Sequence, residues 1–279
     1  MNNNLKMVLL VFVTFFVISL ITNIIGPLIP DIINDFDLNL TLVALLPFSF
    51  FIAYGIISIP SGMLIQKIGE KSVMILAFGL AFIGSIIFAS FPNYTLAVIS
   101  LFVIGSGMAM LQVVINPLLR VAGGEENFAF NATAAQLIFG LASFFSPLAY
   151  SYFVLNLNQS SEGNSWFLHF FNLITPDHLL WISLYWLFAI ISLIMIVVII
   201  LYSFPKVELK QNERIGPIET HLSLLKNPIV VIYFFGIFTY VGLEQGVANW
   251  ISKFLDIYYG YDPQIIGAKT ISWFWGLMT

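Results

Sequence analysis

Polar residues along this chain are sparse and clumped. Between the clumps run apolar stretches at residues 5–29, 41–66, 72–91, 95–118, 128–155, 178–204 and 227–254, and another begins near 263. Each complete stretch reaches the roughly 20 residues that a helix needs to cross the hydrocarbon core of a bilayer. Barrel strands would instead show an alternating pattern about 10 residues long. The pattern therefore predicts an all-α membrane protein with seven complete crossings and the start of an eighth. The first stretch is longer than the apolar core of a signal peptide, and no small-x-small cleavage site follows it, so it reads as a retained helix. Ile271 to Met278 is still apolar. A free carboxylate in hydrocarbon is costly, so the expectation is an N-terminal fragment of a longer protein.

Composition agrees. The chain is 59% hydrophobic and 9% charged, against about 25% charged in soluble domains. Its solvent must be the lipid bilayer. A net charge of −4 points to no nucleic-acid partner. With no cysteine there is neither disulfide nor thiolate metal site, and no cofactor or metal is expected.

Lys6, Lys67, Lys71, Arg120, Lys206, Lys210, Arg214 and Lys226 all lie on one side if the crossings alternate. The opposite loops, 30–40, 91–95 and 156–177, hold no Lys or Arg. Basic residues in short loops mark the cytoplasmic face, so the N-terminus and the 205–226 segment are expected inside, in a multi-pass protein of the cytoplasmic (inner) membrane. That segment divides the chain into a six-helix half at 1–204, an inter-half loop at 205–226, and the start of a second half at 227–279. A faint internal echo supports two halves. Asn23 and Glu244, Thr41 and Asp262, and Gly55 and Gly276 each stand 221 residues apart. Repeated halves are a feature of transporters. In the outer loop, "WFLHFFNL" (166–173) suits a segment lying in the membrane interface, with His169 within it and His178 after it as interface polar groups, pH sensors or ligands.

Polar side chains inside a membrane are costly unless they face the bundle interior or a wet cavity. Gln112 and Asn116 are four apart and share a helix face, as do Gln245 and Asn249. Amides both donate and accept hydrogen bonds, which suits sugar hydroxyls; they also tie helices together. Trp250, Trp273 and Trp275 stand near the second pair, where their rings could stack on a sugar or form core. Glu244 is the one acid well inside a complete stretch, about 25 Å from its start at 1.5 Å per residue, which places it in the outer half. There it must pair with a base, stay protonated or bind a cation, with Lys269 as a candidate partner.

Three segments resemble a known family. "GMLIQKIGEK" (62–71) resembles the major facilitator signature after helix 2, Gly-x-Leu-x-Asp-Arg-x-Gly-Arg-Arg. Gly62, Leu64 and Gly69 match, Lys67 and Lys71 keep the basic character, and Gln66 and Glu70 depart from it. The resemblance implies a conformational motif built from those five matching or basic residues. "GSGMAMLQVVINPLLRVAGGEENFAFNATAAQLIFG" (105–140) and "YVGLEQGVANW" (240–250) resemble the fucose–proton symporter branch. Leu111, Asn116, Pro117, Asn131 and Gln136 match its helices 4 and 5, and Asn23 matches an asparagine of its helix 1. Gln112 replaces a glutamate of that branch, and Gly26, aligned through Pro30, replaces an aspartate.

The resemblance implies a major facilitator fold. The expected function is secondary active transport of a sugar or similar small polar solute by alternating access, coupled to a proton or to sodium, in a monomer. Asn23, Gln112, Asn116, Gln136, Gln245 and Asn249 are the expected substrate contacts, and Glu244 the coupling-ion residue. The alternatives are a drug or metabolite exporter of the same fold, a non-transporting sensor, or a membrane-embedded enzyme using His169, Asp177 and His178. No motif supports an enzyme.

Overall fold

The computed structural model describes residues 3–157, 166–204, 224 and 226–279. Every regular element among them is helical. Helices α1 (Asn3–Thr22) and α2 (Ile25–Asp35) make one crossing, broken by a turn at Asn23 and Ile24. The break lies four residues before Pro27. A proline offers no N–H to the carbonyl four residues back, so the ladder is weakest there. Pro30 is carried inside α2 rather than ending it. The first crossing therefore runs to Asp35, beyond the boundary near 29 that the apolar pattern suggested, and it brings Asp31 into the helix.

Helix α3 (Leu40–Ser90) starts at an Asn39 cap, whose side chain accepts from the Leu42 N–H at 2.8 Å. Its 51 residues would span about 75 Å at 1.5 Å per residue, more than twice a bilayer. It is in fact two crossings joined at Gly69, whose backbone sits at φ 80° and ψ 163°. That left-handed region favours glycine, since it has no Cβ to clash. Helices α4 (Tyr94–Gly123), α5 (Phe128–Asn156), the short α6 (Trp166–Ile174) and α7 (Ser183–Leu201) follow. Then come α8 (Pro228–Tyr259) and, after a turn capped by Asp262, α9 (Ala268–Met278). Six described helices are long and apolar enough to cross a membrane. Counting α3 twice, they make the seven crossings read from the pattern. Lys206, Lys210, Arg214 and nearly all of the 205–226 segment lie outside the described residues.

Helix α3 packs on α4 and α7, α1 on α4 and α5, α2 on α8, and α5 on α9. Phe50, Phe78, Phe88, Trp181, Tyr185 and Phe188 fill the interior. Leu45, Phe48, Ile52, Ile56 and Ile59 recur at helical spacing on the opposite face and are exposed. In a bilayer that stripe faces acyl chains, so both faces of a helix can be apolar. The aromatic loop segment forms α6, with Leu168 and Phe171 buried and Trp166 and Leu173 outward. Phe171 meets Phe153 of α5 edge-on at 5.0 Å. One apolar face against protein and the other outward is the arrangement of a helix lying in the interface.

Candidate functional site

A cavity of about 650 Å³ lies between α5, α8 and α9. Gln136 and Ser143 reach it from α5, Tyr240 and Glu244 from α8, and Trp275 from α9. Among the expected site residues it thus brings Gln136 and Glu244 together. Glu244 is half-buried and has the Tyr240 hydroxyl, one helical turn earlier, as its side-chain partner. Helix α8 has 32 residues and runs to Tyr259, so Glu244 sits at the middle of the helix. The apolar reading stopped at 254 because the helix ends in polar residues. Lys253 and Asp256 form an ion pair there at 2.6 Å. The candidate partner Lys269 is exposed near the start of α9, and the described residues include no ion pair between it and Glu244.

Asn23 reaches the cavity wall through a buried network. Its Nδ2 donates to the Ser143 hydroxyl at 2.9 Å and to the Ser19 carbonyl at 3.1 Å. The Ser19 and Ser143 hydroxyls are 2.7 Å apart, and Ser146 donates to the Leu20 carbonyl at 2.8 Å. These bonds fasten α1 to α5. Gln112 and Asn116 share a face of α4 as expected, with Asn116 Nδ2 3.4 Å from the Gln112 carbonyl, but neither lines the cavity. Gln245 and Asn249 are not brought to it either. Asn249 is buried and donates to the Gln245 carbonyl at 2.8 Å.

The five residues of the 62–71 motif sit at the α3 turn. Gly62 is buried, Leu64 packs on the core and Lys67 is exposed. Gly69 makes the turn described above. Lys71 Nζ donates to the Ile200 and Tyr202 carbonyls, both at 2.8 Å, and lies 5.9 Å from the centre of the Phe204 ring. A cation there caps orphan carbonyls at the end of α7 and meets the negative end of its dipole. Lys71 thus binds two crossings of one bundle to each other.

At the end of the bundle away from the N-terminus, α2 meets α8. A Cβ on Gly26 would collide with the Ala248 carbonyl oxygen, so the two backbones touch. Next to this crossing, Asp31 accepts from the Tyr150 hydroxyl at 2.6 Å and from Gln264 Nε2 at 3.3 Å. Asp35, one turn on, accepts from Trp181 Nε1 at 2.6 Å. Sequence reasoning missed Asp31 because Pro30 looked like a helix end. The signal available was the acid one residue after a proline that the helix absorbs.

Comparison with known proteins bears on this arrangement. The profile of the Major Facilitator Superfamily matches residues 11–279. The chain belongs to that superfamily. Among its relatives is a glucose/galactose transporter of Brucella abortus, 29% identical over 272 residues, covering 94% of this chain and 61% of that protein. The chain thus spans about three-fifths of the length of that relative. The L-fucose–proton symporter of Escherichia coli is 32% identical over 125 residues, 44% of this chain and 28% of that protein. A bacterial homolog of the human lysosomal transporter Spinster, solved in an inward-facing, unoccupied conformation, superposes with a TM-score of 0.68. It is 14% identical and covers 96% of this chain and 58% of its own, which makes it a match of fold. The superfamily accounts for the helical bundle and the multi-pass membrane character. An enzymatic reading finds no support in these relatives.

Proposed function

We infer that this chain forms the first half, and the start of the second, of a secondary transporter. It carries a sugar or similar small polar solute across the cytoplasmic membrane, with its N-terminus inside. The observation that carries this reading is the cavity between the two groups of helices. Its volume falls within the roughly 300–1,000 Å³ of small-molecule sites. An amide, a carboxylate with a tyrosine, a serine and an indole face it from α5, α8 and α9. That set offers donors, acceptors and an aromatic face, which is what a polyhydroxylated solute requires. The printed names of the relatives, transporters of glucose, galactose and fucose, favour the same substrate class.

The transport cycle is alternating access: the 1–204 and 227–279 groups rock about the cavity. Coupling is to a cation, and Glu244 is the group that would bind it. Gly26 and Gln112 stand where the fucose–proton branch carries acids, so coupling passes through neither. The test is counterflow of labelled glucose, galactose and fucose in proteoliposomes of the full-length protein. Exchange of one of them, competed by unlabelled sugar and weakened by Gln136→Ala, supports the reading. No exchange of any hexose would move the assignment to the exporter alternative.

A further inference from the structure

We propose that Asp31 is a latch residue that holds the outer side of the transporter shut by bridging the two groups of helices. This rests on the transport reading only in supplying the cycle in which the latch acts. The bridge itself is a matter of geometry. Asp31 lies on α2, where a carboxylate has two oxygens and each takes one donor. Oδ2 accepts from Tyr150 of α5, in the same bundle. Oδ1 accepts from Gln264, in the turn between α8 and α9. Tyr150 is fully buried, so its hydroxyl is held in place by packing and fixes the carboxylate in turn. The other oxygen is then presented across the seam to Gln264.

The second observation is independent of any side-chain hydrogen bond. Five residues before Asp31, Gly26 lets the α2 backbone lie directly on the Ala248 carbonyl of α8. No residue with a Cβ fits that contact without separating the helices. The seam thus closes by a glycine contact and a hydrogen bond side by side. The latch stands apart from the cavity, whose lining includes neither Asp31 nor Gln264. It therefore acts on access rather than on substrate contact.

An aspartate suits this place for a chemical reason. Ionised, it only accepts, and both donors are served at once. Asparagine would turn an N–H₂ toward one of the two donors. The other acids here are Asp35, which accepts from Trp181, and Asp262, whose side chain caps the Gln264 and Ile265 amides at 2.7 and 3.3 Å. Both are occupied by donors of their own, so Gln264 is left to Asp31.

The test uses the absence of cysteine from the sequence. A single cysteine at Gln136 in the full-length protein reports access to the cavity from outside, read as its rate of reaction with a membrane-impermeant thiol reagent in intact cells. Gln264→Ala removes the cross-seam donor, and Asp31→Ala the acceptor. Each should raise the outside labelling rate roughly tenfold, as loss of a hydrogen bond to a charged group implies. The double variant should rise no further than either single one. Gly26→Ala should raise it by separate means and add to both. Asp31→Ala also strips the buried Tyr150 hydroxyl of its acceptor, so Gln264→Ala, at a partly exposed side chain, carries the decision. Unchanged labelling in Gln264→Ala, or additive effects in the double variant, overturns the latch. The readout needs no substrate. Failed sugar counterflow of the protein that keeps Gln136, with raised labelling in the cysteine protein, retires the transport reading alone, and normal counterflow with unchanged labelling retires the latch alone.

Discussion

At the residue scale, a carboxylate halfway along a membrane helix is costly to keep charged and useful where a charge must come and go. Among the described residues, Glu244 forms no ion pair and has Tyr240 as its side-chain partner. Glu244→Gln is therefore expected to abolish concentrative uptake while leaving counterflow down a gradient intact. Uptake with unchanged ion dependence would make Glu244 a structural residue. The buried Ser19–Asn23–Ser143 group behaves differently. Ser19 donates to the Phe139 carbonyl at 2.6 Å and does not line the cavity. Ser19→Ala should lower the melting temperature in detergent, by the equivalent of about 1 kcal/mol for one buried hydrogen bond. Substrate affinity should stay the same. Lost affinity at unchanged melting would place Ser19 in the binding site instead.

At the element scale, the α3 turn shows how a motif can do mechanical work through caps. Lys71 holds the last carbonyls of α7, whereas Lys67 points outward. Lys71→Met is expected to destabilise the protein and Lys67→Met to leave melting unchanged; equal effects of the two would refute the cap. Gly69→Ala forces a side chain into a left-handed backbone and should cost about 1 kcal/mol or more. The helix ends follow the same local logic. Asn39, Asn93 and Asn227 each accept from a backbone N–H in the first turn of α3, α4 and α8. Gly260 ends α8 at φ 65°, the left-handed residue that commonly closes a helix.

At the scale of the whole molecule, sidedness is the property most easily measured. Lys6, Lys67, Lys71 and Arg120 gather at the end of the bundle where α1 begins, and the positive-inside rule predicts that this end lies in the cytoplasm. A cysteine at Asn39 should react with an impermeant reagent applied to intact cells, and one at Gln66 should not. Labelling of Gln66 from outside would invert the topology, and with it the assignment of the Asp31 seam to the outer face.

Seven crossings, the apolar stretch that forms α6 and the Asp262 cap were legible in the sequence, because each depends on residues within a turn or two of one another. Length and apolarity decide a crossing, and a proline or a cap residue decides where it can begin. The two misplaced boundaries mark the limit of that logic. Pro30 sits inside α2, and α8 continues past 254 to Tyr259 through an ion pair. Tertiary structure decided which polar residues meet. Gln136 and Glu244, more than a hundred residues apart, share one cavity, while Gln112 and Asn116 stay off it. Asp31 acquires its two donors from α5 and from the turn after α8. Helical spacing tells which side chains share a face. It carries no information on which face is turned toward which neighbour, since in a membrane both faces are apolar and only close approach, such as Gly26 on Ala248, selects the partner.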